Sequence, residues 1–310
     1  MPDRTARTAT DSRGRPLLHG CGTALVTPFE RDGSVDEDAL KRLVEWQISE
    51  GVHFLVPCGS TGEAATLTIA EHRRVVELTV ETVEGRAPVV AGAGSNDTQK
   101  AIALSKEMKS AGATHLLHTS PMYNKPPQRG IVAHYTAIAD AVDLPLVVYN
   151  VPSRTASNVE AATTLELAEH ENVTAVKEAS GNLSQISEII RNRPDEFTVL
   201  SGDDALTVAV MAEGGDGVIS VTSNALPRLV SSLAESMLRQ DLDEARRLSA
   251  LLAPFTTAAF VESNPIPIKA ALAIMGRIEN VLRLPLVPLK ESLVAALEES
   301  LAVAGAVAGA

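Results

Sequence analysis

The sequence predicts an α/β fold, a (β/α)8 TIM barrel with a C-terminal helical extension, on three observations. Short apolar, β-branched runs alternate with longer stretches of helical periodicity. Eight such runs follow one another at spacings of about 20–35 residues. After the eighth, the pattern turns helical to the end of the chain. Strands alternating with helices imply parallel pairing through right-handed crossovers, and eight units suit a closed barrel. A doubly wound sheet satisfies the same alternation. The dinucleotide fingerprint it often carries is missing, because Gly92-Ala93-Gly94 is not followed by the third glycine.

In chain order the predicted strands are 22–26, 54–57, 89–92, 115–119, 146–149, 174–177, 198–201 and 217–221. Helical periodicity marks 36–50, 69–83, 98–111 and 130–141, with Asp36 and Thr98 in capping positions. Leucine and alanine stripes mark 226–239, 242–257 and 289–303, interrupted at Asn264-Pro265-Ile266-Pro267. The expected organisation is a flexible tail over 1–18, a barrel over 19–235 and helices over 236–310 packed on it. Residues 304–310, nearly all small, are expected to fray.

Composition narrows the function classes. A hydrophobic content of 45% with 21% charged residues is that of a soluble globular protein. No apolar run approaches the ~20 residues of a membrane span, and residues 1–16 lack the apolar core of a signal peptide. A net charge of −12 speaks against a nucleic-acid partner. Cys21 and Cys58 form neither a disulfide framework nor a zinc motif, and read as small buried hydrophobes of a cytoplasmic protein.

Barrel chemistry sits at the C-terminal ends of the strands. There the chain carries Ser60 and Thr61 after strand two, Tyr123 after strand four, Tyr149 and Arg154 at and after strand five, and Lys177 at the end of strand six. Alternation along strand six turns Lys177 inward. A desolvated lysine loses basicity and becomes a nucleophile able to condense with a ketone. The bland reading of Lys177 is a solvated rim residue, and that of Tyr149 a packed ring. A phenol beside the amine would instead move the protons of carbinolamine dehydration. The 59–62 loop reads as a turn leading into a helix, or as a cradle for a substrate carboxylate. Arg154 reads as a surface ion pair, or as a fork for a second carboxylate.

Several segments together resemble the dihydrodipicolinate synthase family. They are Gly59-Ser60-Thr61-Gly62-Glu63, Tyr149-Asn150-Val151-Pro152-Ser153-Arg154-Thr155, Lys177-Glu178-Ala179-Ser180-Gly181-Asn182, Ser201-Gly202-Asp203-Asp204, Gly217-Val218-Ile219-Ser220-Val221 and Asn264-Pro265-Ile266-Pro267-Ile268-Lys269. The resemblance spans about residues 20–288. It implies a Schiff base between Lys177 and pyruvate, condensation with L-aspartate 4-semialdehyde to 4-hydroxy-tetrahydrodipicolinate, and a place in lysine (diaminopimelate) biosynthesis. It further implies a proton relay of Tyr149, Thr61 and Tyr123, the last reaching a neighbouring subunit's site. Arg154 would bind the semialdehyde carboxylate, and Gly202 and Ile219 would line the pyruvate pocket through backbone groups. No metal or organic cofactor is implied, and the assembly would be a homotetramer, a dimer of dimers.

Two departures stand out. Ser60 replaces the usual threonine, as in the N-acetylneuraminate lyase branch, whose substrates are sugar acids; Arg154 favours the synthases, because a second carboxylate needs a cation. Positions that hold feedback lysine in inhibited relatives are here Met122, Lys100, Ile69 and His72, with Asn96 retained. Lys100 would oppose the ligand's ammonium, so lysine inhibition is expected to be weak or absent. A barrel that binds small carboxylates without turnover is the remaining alternative.

Overall fold

The computed structural model describes residues 9–306. Eight parallel strands form one sheet: β1 (Gly20–Ala24), β2 (Phe54–Val56), β3 (Val90–Gly92), β4 (His115–Thr119), β5 (Leu146–Asn150), β6 (Val173–Glu178), β7 (Thr198–Ser201) and β8 (Gly217–Ser220). β1 pairs with both β2 and β8. β2 and β3 meet through a single parallel bridge, Leu55 with Val89, flanked by Leu55 N–H to the Pro88 carbonyl at 3.0 Å and Gly92 N–H to the Pro57 carbonyl at 3.0 Å. The ring is therefore nearly closed, as the eight-unit repeat predicts.

Two layers of core follow from the period-2 alternation of the strands. Inward residues Phe54, Val56, Val90, Leu117, Val147, Ala175, Leu200 and Ile219 fill the barrel, and Leu18 joins them from below. Outward residues Leu116, Leu146, Val148, Val176, Val199 and Val218 pack beneath the helices. Each such side chain stabilises the fold by roughly 1.5–3 kcal/mol on full burial. The Phe54 ring crosses the barrel where β1 has Gly22; a Cβ there would stand inside the ring, so the glycine is required by close approach.

The helices follow from the same periodicity. α1 (Glu37–Ser49) is capped by Asp36, whose side chain accepts from the Ala39 N–H. α2 (Ile69–Val83) opens with a capping box between Thr68 and Glu71. α3 (Thr98–Ser110) is capped by Asp97, not Thr98: the aspartate accepts the Lys100 N–H at 3.0 Å, and Thr98 is the first helical residue. α4 (Gln128–Ala141), α5 (Pro152–Thr155), α6 (Ala161–Ala168), α7 (Leu183–Asn192) and α8 (Thr207–Ala212) complete the first seven units. α9 (Pro227–Leu238) follows β8, so the boundary expected at 235–236 falls inside a helix.

α10 (Leu242–Ala258), α11 (Ile266–Ile274) and α12 (Glu291–Val303) form the extension. Asn264-Pro265-Ile266-Pro267 does interrupt the helical run, and it also begins α11, where prolines lack only N–H groups that a first turn leaves unpaired. At the other end, the expected loose tail is docked from residue 9 onward. Ser12 bonds Glu196, Arg15 bonds Asn172 and the Glu171 carbonyl, and His115 Nε2 lies 2.9 Å from the Pro16 carbonyl. Leu17 and Leu18 are buried. These contacts anchor what composition alone left free; residues 1–8 and 307–310 lie outside the described residues. Among the described residues, no helix is long and apolar enough to cross a membrane. Cys21 and Cys58 are free and buried, and burial pushes the Cys21 thiol up to about 12.

Candidate active site

The C-terminal rim of the barrel opens into two adjoining cavities of about 480 and 570 Å3. Both are lined by Ser60, Thr61, Tyr149, Val151, Arg154 and Lys177.

Lys177 lies where alternation along β6 puts it, inward of Val176 and 4% exposed. Burial holds its amine below the ordinary lysine value, at about 8; Asp204 opposes that shift and Arg154 reinforces it. Its Nζ sits over the Tyr149 ring, 4.3 Å from the centroid. The neighbour relation is built into the sheet, because the β5–β6 register sets Tyr149 opposite Lys177 and Asn150 opposite Glu178. Outside the barrel, Asn150 Nδ2 donates to both Glu178 carboxylate oxygens at 3.1 and 3.0 Å. Glu178 also accepts the Ser180 N–H at 2.7 Å and Gln185 Nε2 at 3.1 Å. An outward network thus locks the register that sets the Tyr149 and Lys177 side chains side by side within the barrel.

Gly202, at the end of β7, gives Lys177 its room. A Cβ there would lie 2.7 Å from Ala179 Cβ and 3.1 Å from Lys177 Cε. Gly202 lines the larger cavity. Ile219 is fully buried in the barrel, and Val221 lines the larger cavity on the β8 side.

Tyr149 is buried, which raises its phenol; Arg154 and a hydrogen bond with Ser60 act the other way. The neighbouring Thr61 hydroxyl accepts Asn264 Nδ2 at 2.8 Å. In the 59–63 turn the Gly62, Glu63 and Ala64 N–H groups bond back to Gly59 and Ser60 carbonyls. A three-residue 3-10 turn, Ala64–Thr66, follows instead of the helix expected there. Glu63, left-handed at φ 52°, is held by Lys269 Nζ at 2.6 Å and the Arg283 N–H at 3.0 Å. The loop bearing both hydroxyls is therefore pinned from the C-terminal extension.

Arg154 is exposed at the rim, its Nη2 donating to the Asn264 carbonyl at 3.3 Å. Asn264 itself is buried, lines the larger cavity and leaves its Oδ1 unpartnered. Nothing local in the sequence marks Asn264 for this role, because its partners Thr61 and Arg154 are distant in the chain. Tyr123 is not brought to Lys177 by its own chain. It is 89% exposed, with φ at 71°, beside Asn124, whose side chain bonds the Asn96 carbonyl at 2.9 Å.

Two buried lysines share a depressed value of about 8, and access separates them. Lys269 is 0% exposed, ion-paired to Glu63 and 4.1 Å over the Phe29 ring. Lys177 makes no ion pair among the described residues and faces a cavity. Of these two amines, Lys177 is the one that a small molecule in the cavities could reach.

The chain is similar to known proteins over most of its length. The model of the dihydrodipicolinate synthetase family matches residues 17–304. A 4-hydroxy-tetrahydrodipicolinate synthase of Koribacter versatilis is 53% identical over 289 residues, covering 93% of this chain and 96% of that one. The crystal structure of a dihydrodipicolinate synthase from Thermotoga maritima superposes with a TM-score of 0.92 at 42% identity, over 94% of this chain and 100% of the other. A dihydrodipicolinate synthase variant described as the first monomeric one superposes equally well, at 0.92 and 42%, over 94% and 98%. With the match running through both the barrel and its C-terminal helices, the chain belongs to the dihydrodipicolinate synthetase family.

Proposed function

We propose that the chain condenses pyruvate with L-aspartate 4-semialdehyde to 4-hydroxy-tetrahydrodipicolinate, in lysine (diaminopimelate) biosynthesis, through a Schiff base on Lys177. The observation that carries this reading is the buried, unpaired Lys177 amine over Tyr149, facing a cavity that Thr61 and Arg154 also line.

The neutral amine adds to C2 of pyruvate, and the carbinolamine loses water to leave an iminium. Departure of a C3 proton gives an enamine, whose C3 bonds to the aldehyde carbon while the aldehyde oxygen takes up a proton. Attack of the aldehyde's own amino group at C2 then closes the ring and frees Lys177. Tyr149, with Ser60 and Thr61 beside it, moves the protons. The Ser60 and Thr61 hydroxyls and the Gly202 backbone hold pyruvate's carboxylate, with Ile219 backing the β8 side. Arg154 holds the semialdehyde carboxylate, the feature that favours this aldehyde over a sugar acid.

The covalent chemistry is carried by the lysine, with no metal or organic cofactor in any step. Two buried, free thiols suit a cytoplasmic enzyme. The proposed assembly is a homotetramer in which Tyr123 enters a neighbouring site; its exposure in an isolated chain supports a partner-facing role. The test is the initial rate with both substrates, coupled to the next reductase, for the parent and Lys177→Ala. Turnover is expected in the parent alone. A silent parent that still forms a borohydride-trapped pyruvate adduct would replace the aldehyde, and turnover by Lys177→Ala would remove the mechanism.

A further inference from the structure

Asp204 follows β7 and is used by none of the steps above. Its carboxylate reaches across to the end of β8: Oδ1 accepts the Ser220 hydroxyl, and Oδ2 accepts the Val221 N–H at 2.9 Å and the Thr222 N–H at 3.4 Å. Ser220 Oγ accepts the Ser223 N–H at 2.8 Å, so its own proton is available to the carboxylate. Burial raises the Asp204 carboxyl above its ordinary value, and the donors from Ser220, Val221 and Thr222 work against that shift by favouring the anion.

The clamp extends further. Ser223 Oγ lies 2.8 Å from the Thr23 hydroxyl, and Gln47 Nε2 donates to the Ser223 and Asn224 carbonyls. Asn224 Nδ2 donates to the Ala24 carbonyl at 2.8 Å. The turn after β8 is thereby fastened to β1 and α1, with Asp204 as its only charged member. That turn includes Val221, the β8 wall of the cavity.

Asp204 makes no ion pair among the described residues. A small cavity of about 130 Å3 beside it is lined otherwise by uncharged groups, including Thr207, Thr222, Ser249 and Thr256. The groups acting on Lys177 are the Asp204 carboxylate from the β7 side, and the Arg154 guanidinium and Tyr149 ring from the β5 side. Asp203 adjoins Asp204, and Cys21 faces it from β1. We propose that Asp204 is a positioning residue that fastens the β8 wall of the pyruvate pocket and balances the positive charge arising at Lys177. This rests on Lys177 being the Schiff-base lysine.

Charge and clamp separate by substitution. In Asp204→Asn the amide oxygen still accepts the Val221 and Thr222 N–H groups and the amide nitrogen donates to Ser220, so geometry is kept and charge is lost. Ser220→Ala keeps the charge and loosens the clamp. The readout is the pH dependence of pyruvate trapping by cyanoborohydride at Lys177, located by peptide mapping, together with the KM for pyruvate.

Without the anion the ammonium is less favoured, so the acid limb of trapping should move down by roughly one pH unit in Asp204→Asn. It should stay in place in Ser220→Ala, with a pyruvate KM raised severalfold. An unmoved limb in folded Asp204→Asn, with the parent still trapping at Lys177, overturns the inference alone. No adduct at Lys177 in the parent overturns the underlying reading with it. Should Asp204→Asn fail to fold, an unchanged pyruvate KM in Ser220→Ala overturns the proposal.

Discussion

A lysine becomes a nucleophile when its neutral form is populated and reachable, and both conditions are met at Lys177. Its value of about 8 sets the sign of the pH dependence. Below it the amine is charged and cannot attack, so kcat/KM for pyruvate should fall about tenfold per pH unit below about 8 and level off above. A profile with no limb between about 7 and 9 would place the amine elsewhere on the scale. In the proposed mechanism the Tyr149 phenol carries the protons. Tyr149→Phe keeps the ring beneath Nζ and removes only the proton carrier; kcat should drop by about 10²–10⁴ while pyruvate is still bound. Steady-state kinetics decide this, and a kcat within a few-fold of the parent would dismiss the phenol from the relay. Lys177, Tyr149, Thr61 and Arg154 were legible because strand alternation and strand ends place them. Asn264 and Asp204 were not, because their partners are set by tertiary packing that no period in the chain encodes.

At the scale of elements, β5 and β6 do the positioning. Tyr149 faces Lys177 because Asn150 and Glu178 clasp each other on the outer side of the same register. The extension contributes as well: Asn264 bonds the Thr61 hydroxyl and Lys269 bonds Glu63, holding the loop after β2 from two points. Asn264→Ala should therefore lower kcat by about tenfold or more while the fold survives, since one neutral hydrogen bond contributes only ~1 kcal/mol to stability. Kinetics with a thermal melt check this; unchanged kinetics would make Asn264 a packing residue. The long helices were readable from periodicity, whereas α5, α6 and α8 run only 4, 8 and 6 residues, too short to show a face. Asp97 took the cap from Thr98 because its carboxylate reaches the Lys100 N–H.

Over the whole molecule, the barrel repeat was legible from strand count and spacing, while the docking of residues 9–18 rests on contacts with remote segments such as Glu171, Asn172 and Glu196. The proposed role of Tyr123 in a partner's site is tested at the scale of the assembly. Tyr123→Phe and Lys177→Ala chains should each be nearly inactive alone, and mixing them after dissociation should restore part of the activity through sites pairing an intact Lys177 with a partner's intact Tyr123. No recovery from a mixed oligomer would confine Tyr123 to its own chain. Of the positions where inhibited relatives hold lysine, Lys100 is exposed, and His72 is already committed, its Nε2 lying 2.7 Å from the Gly92 carbonyl. L-lysine should inhibit weakly or not at all; a clear inhibition curve at low lysine concentration would refute this.

The most direct measurement is reductive trapping with pyruvate and borohydride, followed by mass mapping of every lysine. A single adduct is expected on Lys177, with none on Lys269 despite its equally depressed value, because the Glu63 ion pair seals that amine from solvent. An adduct on another lysine, or none in an active enzyme, would contradict the Schiff-base mechanism at this site.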